Sequence, residues 1–158
     1  RESEELSKMK LQENIQQVIR QMIDTQRYAV LATDDQGQPY TSLMAFAATV
    51  DLKQIILMTD RNTHKHANLK SNRRVAVLID NRENSDADTG DAVAITVMGE
   101  AVLIAADSCA KFLELYLARH PQLTEFARSP TCAVVSVNVS SYVVVREFHV
   151  VVEWRPGE

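Results

Sequence analysis

The amino-acid sequence predicts a mainly β protein, an antiparallel β-barrel with flanking helices. Three observations carry this expectation. Beyond residue 26 the spacing of apolar residues changes from helical to extended, the extended runs are rich in strand formers, and tight-turn residues separate them. About six antiparallel strands in a chain of 158 residues close most simply on themselves. One domain over residues 1–158 is expected, with an N-terminal helix at 3–26 and the barrel at 27–154.

From Ser3 to Gln26 the residues Leu6, Met9, Leu11, Ile15, Val18, Ile19, Met22 and Ile23 recur mostly at steps of three and four. That spacing makes an amphipathic helix, expected to cover one end of a sheet or a partner subunit. Ser3 is the expected N-cap, and Glu4 and Glu5 suit the positive end of the helix dipole. Next, RYAVLAT is a strand, DDQGQP (34–39) a hairpin turn with its glycine, and YTSLMAFAAT a second extended run. VDLKQ turns the chain again, IILMTD forms a third strand, and residues 63–71 form a short helix before the strand RRVAVLIDN.

The segment 82–91, RENSDADTGD, is polar and acidic and is expected to be a flexible loop. AVAITVMGEAVLIA is long for one strand, and Gly99 at its middle suits a bulge or sharp bend. Residues 107–119 make a second amphipathic helix with Cys109, Phe112, Leu113, Tyr116 and Leu117 inward, stopped by Pro121, and a short helical piece with Leu123 and Phe126 ends near Pro130. CAVVSVNV and YVVVREFHVVVEW read as the closing strands.

Composition narrows the function. A net charge of −4 argues against a nucleic-acid-binding protein, which needs a broad basic surface. No apolar run approaches the roughly 18 residues of a membrane span, and no charged-then-apolar leader is seen, so a cytoplasmic protein without membrane contact is expected. Cys109 and Cys132 are not in a CxxC pair and read as core thiols. His64 and His66, two apart on a helix, point to different sides and lack accompanying ligands, so no metal site is expected. No serine lies in a glycine-framed nucleophile elbow.

The chemistry concentrates in MTDRNTHKHANLKSN (58–72), where a strand gives way to a helix. Such a junction offers unpaired backbone N–H groups and a positive dipole end, which favour an anion. Thr59 and Thr63 add hydroxyls, and Lys65 a compact cation suited to a phosphomonoester. Residue types alone leave open the plainer alternative, a capping Thr63 and a solvated cationic face.

GQPYTSLMAF, then IILMTDRNTHKHANLKSNRRVAVLID and VMGEAVLI, together resemble the pyridoxamine 5'-phosphate oxidase-like, FMN-binding split-barrel superfamily. The resemblance runs over roughly residues 28–105. It implies a six-stranded antiparallel Greek-key split barrel, assembled as a homodimer with FMN at the subunit interface. It places Ser42, Leu43, Met44 and Ala45 along the isoalloxazine ring and Met58 and Thr59 beside the ribityl and phosphate. Thr63, His64 and Lys65 match the family's phosphate clamp, with His64 where arginine is common. Trp154 stands where in such dimers a terminal aromatic can cross to the partner's flavin, the alternative being a tryptophan of the rim or core.

The chain departs from the vitamin-forming oxidases of that superfamily. Ala47 stands where they carry a substrate-gripping lysine, Arg155 is followed by Pro156 and Gly157 rather than completing an arginine-x-histidine pair, and Ala94 replaces a flavin-contacting glutamine. The resemblance thus implies an FMN-dependent oxidoreductase that does not use pyridoxamine phosphate, with its small-molecule substrate and catalytic residues unassigned. Its alternatives are a non-catalytic flavin or haem carrier or sensor, and a structural dimer that has lost its cofactor.

Overall fold

The computed structural model describes the backbone of residues 1–158 and all side chains except those of Leu11 and Gln12. Leu11, assigned above to the apolar stripe of the first helix, therefore lies outside the described side chains. That helix, α1, spans Glu2–Thr25. Its C-terminal half buries Ile15, Ile19, Met22 and Ile23, whereas Leu6 and Met9 stay exposed. The helix begins one residue earlier than expected: Ser3 lies inside it, Arg1 holds the N-cap position, and no side chain caps it.

β1 (Tyr28–Asp35) and β2 (Gln38–Ala45) form a hairpin through Gln36 and Gly37, both at positive φ as a tight two-residue turn requires. Then follow β3 (Ala47–Ala48), β4 (Gln54–Asp60), α2 (His64–Ser71) and β5 (Arg74–Asp80). A short α3 (Asp88–Asp91) precedes β6 (Val93–Ile104). α4 (Ala110–Arg119) and α5 (Thr124–Ala127) lead to β7 (Cys132–Arg146) and β8 (Val150–Trp154).

All eight strands belong to one antiparallel sheet ordered β2-β1-β5-β6-β7-β4-β3, with β8 added to β7. The ends of this order, β2 and β3, are consecutive in the chain and separated only by Phe46, so the sheet curls into a barrel closed through one interrupted strand. This is the expected split barrel, with eight strands rather than six. The seven extended runs named from the sequence become eight strands because the second divides at Phe46, a turn at Glu147 and Phe148 cuts β8 from the last, and the rest of the last run merges with the one before it. CAVVSVNV and YVVVR, read as parts of separate strands, are one continuous β7.

The apolar alternation decides which face is inside. Leu31, Val77, Val97, Tyr142 and Trp154 are register partners across β1, β5, β6, β7 and β8 and all join the barrel core with α1. β4 is buried on both faces because Ile55 and Leu57 point into that core while Ile56 and Met58 pack beneath α4 and α5 with Phe112, Tyr116 and Val134. That accounts for its uninterrupted apolar run.

Gly99 marks the expected bulge, where the β6–β7 register shifts between Met98 and Gly99. A Cβ there would lie 2.4 Å from the Asn138 carbonyl oxygen, so the close crossing of the two backbones requires glycine. The acidic loop has more order than its composition indicated: the Asp88 carboxylate accepts from the backbone N–H groups of Glu83 and Ser85.

Candidate functional site

β2 pairs with β1 along one edge only, and β3 covers β4 only at Ile55 and Ile56. The facing edges of β2 and of the C-terminal half of β4 therefore diverge, leaving a cleft bordered by backbone groups that no ladder uses. A cavity of about 300 Å³ occupies it, lined by Leu43, Met44 and Ala45 from β2 and by Met58, Thr59, Asp60, Thr63 and Lys65 from β4 and the head of α2. Tyr28, Tyr116, Leu123 and Phe126 complete an apolar and aromatic wall.

The polar end is organised around Thr63, the N-cap of α2. Its hydroxyl donates to the Asp60 carbonyl at 2.7 Å, lies 3.0 Å from the Thr59 hydroxyl, and accepts from the His66 N–H at 3.4 Å. Because Thr63 spends its proton on Asp60, the Thr59 hydroxyl is the donor between the two threonines. The N–H groups of His64 and Lys65, in the first turn of α2, have no intrahelical acceptor. Lys65 forms no ion pair among the described residues, leaving its ammonium available to an anion.

Asp60 also borders the cavity. Its carboxylate accepts from the Asn62 N–H and the Thr131 hydroxyl, and these bonds hold its pKa below the usual carboxylate range. His66 is buried, and burial, with Lys70 and Arg61 nearby, pushes its pKa down, favouring the neutral imidazole. Burial pushes the Tyr116 phenol up to about 12, so this part of the wall is uncharged at neutral pH.

A polar ladder fixes α2 in place. His64, Asn68 and Asn72, spaced by four along one helix face, meet Asp35, Thr33 and Asp34 of the β1 hairpin. His64 Nε2 donates to the Asp35 carboxylate at 2.8 Å, and its ring stacks on Tyr40 with centroids 4.6 Å apart. The imidazole thus faces the hairpin, whereas Thr59, Thr63 and Lys65 face the cavity.

Seven of the ten sequence-assigned residues thus share one concave surface, namely Leu43, Met44, Ala45, Met58, Thr59, Thr63 and Lys65. Ser42 is absent from the lining: it pairs with Leu31, a residue of the inner face. Trp154 is buried in the barrel core, 5.7 Å from the Tyr142 ring between centroids. Sequence reading missed Tyr28, Asp60, Tyr116, Leu123 and Phe126 as lining residues. Tyr116 did carry a signal, its place on the inner helix face, but helical spacing cannot distinguish a wall of a cavity from a packed core.

Of the three departure positions, Ala47 is fully buried under α4, Ala94 lines a different hollow, and Arg155 pairs with Glu153. A larger open hollow of about 640 Å³ lies along β1, β5, β6 and β7, away from the hydroxyl and cation cluster.

Fold and site together define a split-barrel protein with an anion-receptive helix end beside an apolar cleft. The chain belongs to the pyridoxamine 5'-phosphate oxidase family, whose profile matches residues 15–146. A pyridoxamine 5'-phosphate oxidase homologue of Schizosaccharomyces pombe is 35% identical to it over a region covering 44% of this chain and 43% of that protein, so the chain spans less than half of that relative's length.

Solved structures share the fold at low identity. General stress protein 26 of Bacillus anthracis superposes with a TM-score of 0.70 at 19% identity, covering 89% of this chain and 98% of that one. A heme binding protein of Mycobacterium smegmatis gives 0.75 at 15%, covering 85% and 55%. An FAD-binding protein of Mesorhizobium loti gives 0.64 at 13%, covering 79% and 89%. No described helix is long and apolar enough to cross a membrane.

Proposed function

We propose that this chain binds FMN as half of a homodimer and works as a flavin-dependent oxidoreductase on a small molecule other than pyridoxamine phosphate. The observation that carries the reading is the polarity gradient of the cleft between β2 and β4. One end offers Lys65, two threonines and free N–H groups; the other offers Leu43, Tyr28, Tyr116 and Phe126. A phosphate joined to a flat apolar ring matches both ends.

The donor set fits such a group. The ammonium of Lys65 and the N–H groups of residues 64 and 65 would meet phosphate oxygens. Thr59 would turn its hydroxyl from Thr63 to the ligand, exchanging one hydrogen bond for another. His64, held by Asp35, would orient α2 and leave Lys65 as the side-chain cation of the clamp. The unused backbone groups of residues 42–45 would meet the polar edge of the ring, and the aromatic wall would exclude water. Bound FMN supplies the redox chemistry, which its ring carries out.

A second copy is favoured by the outer sheet face. Leu43, Val30, Leu78, Thr96 and Val143 are successive register partners across five strands on the face opposite the core, with Leu43 74% exposed. A largely apolar row, broken only by Thr96, beside the cleft suits a partner subunit that would complete the cofactor's enclosure. Among the described residues no histidine lines the cavity, so haem would find no imidazole ligand there. An absorbance spectrum of the purified protein, taken before and after adding FMN and removing the excess, tests the reading. Bound-flavin bands support it; a Soret band would favour a haem carrier, and neither band would favour a dimer without cofactor.

A further inference from the structure

Phe46 is the residue at which the chain leaves β1 and joins β4, and its carbonyl is taken by His120. The Nε2 of His120 lies 2.7 Å from the Phe46 oxygen. A carbonyl only accepts, so Nε2 carries the proton and Nδ1 keeps its lone pair. His120 is completely buried, and Nδ1 has no hydrogen-bond partner. Arg119 donates to the same carbonyl from Nη1 at 3.5 Å and to the Gln26 carbonyl from Nη2 at 2.7 Å. Its guanidinium lies 5.1 Å from the centre of the Phe46 ring. One turn earlier Tyr116, a wall of the cavity, has its ring centroid 5.1 Å from that of His120.

The end of α4 therefore grips the point where the barrel divides, while the same helix walls the cavity. We propose that His120 is a positioning residue, a proton-sensitive clasp whose neutral imidazole fixes the strand break against α4 and whose protonation loosens the α4 wall of the cavity.

The charged and titratable groups around the clasp are Arg119 and Tyr116 on its own side, Arg27 at the entry to β1, and Asp24 near the end of α1, which acts on Arg119. A proton added at Nδ1 would create a buried N–H without an acceptor and another positive charge beside Arg119 and Arg27. Burial chiefly, and then those two guanidinium groups, hold the imidazole below the ordinary histidine range, against the opposing effect of the Phe46 carbonyl. A histidine that prefers to be neutral in the fold contributes fully above its unfolded pKa of about 6.5, and its contribution is lost as pH falls below that value.

The clasp concerns the chain's own packing and stands independently of the flavin reading; FMN enters only as a probe. His120→Gln keeps an amide donor for Phe46 but cannot titrate, whereas His120→Leu removes the donor. Between pH 6.5 and 5 the wild-type unfolding constant from urea melts should rise more steeply than that of His120→Gln, by up to about tenfold per pH unit for the one proton involved. Hydrogen-exchange protection of amides 112–120, corrected for intrinsic rate, should fall over the same range in wild type and hold in His120→Gln. His120→Leu should show the weakened protection already at pH 7.5; should it fail to fold, the glutamine variant carries the test. Acid losses equal in wild type and His120→Gln would overturn the clasp. FMN affinity that drops with pH more steeply in wild type than in His120→Gln supports it, since the phosphate's own titration near about 6 is common to both. Failure to bind FMN at any pH, with the exchange difference intact, supports the clasp and overturns the flavin reading.

Discussion

Replacing Thr63 tests whether the hydroxyl cluster at the head of α2 is a built site or a chance meeting of threonines. Its oxygen caps the helix through the His66 N–H, and loss of such a cap costs about 1 kcal/mol. Its removal also strands the hydroxyl of Thr59, a residue 1% exposed, leaving it only a 3.4 Å contact with the Asp60 carbonyl. A buried hydroxyl left so poorly bonded adds about 1 kcal/mol. Thr63→Ala should therefore lose about 2 kcal/mol, which at a urea slope of about 2 kcal/mol per molar lowers the unfolding midpoint by about 1 M. Thr63→Ser retains the oxygen and should stay within about 0.5 kcal/mol of wild type. Equal midpoints for the alanine and serine variants would show that the three contacts contribute nothing and that the threonines meet by chance.

Lys65→Ala should weaken FMN binding by about 1.5–3 kcal/mol, the range for a hydrogen bond to a charged group. Fluorescence titration measures this, and unchanged affinity would count against the proposed clamp. Gly99→Ala drives a methyl into the Asn138 carbonyl and should destabilise by about 1–3 kcal/mol in chemical denaturation, because backbone on both strands must move. Tyr116, its phenol pushed up to about 12 by burial, favours the neutral form in the fold. Its contribution is complete below the ordinary tyrosine pKa of about 10 and is lost as pH rises from there towards 12. Tyr116→Phe should flatten the decline in stability over that interval, and an unchanged decline would refute the burial assigned to this wall.

The barrel was legible in the sequence because a half-buried strand writes its inner face at every second residue, and a doubly buried one writes an unbroken apolar run. β1, β4 and β5 follow those rules closely. The Gln36–Gly37 turn and the bend at Gly99 were legible for a related reason, since each rests on a backbone geometry that glycine serves best. The head of α2 was legible too: strand, threonines and lysine are neighbours in the chain, and local contacts survive folding unchanged.

Only the tertiary structure decided the rest. Phe46 as the point of division is invisible in an extended run whose residues all suit a strand, because the choice between β1 and β4 as partner is made by curvature. His64 reads as a third member of the clamp from its place beside Thr63 and Lys65; Asp35, twenty-nine residues away in sequence, turns it to the hairpin. Tyr116 became a cavity wall, and His120 the clasp on Phe46, through contacts between segments more than seventy residues apart. Spacing along a chain records which side chains share a face, but it carries no information on what that face will meet.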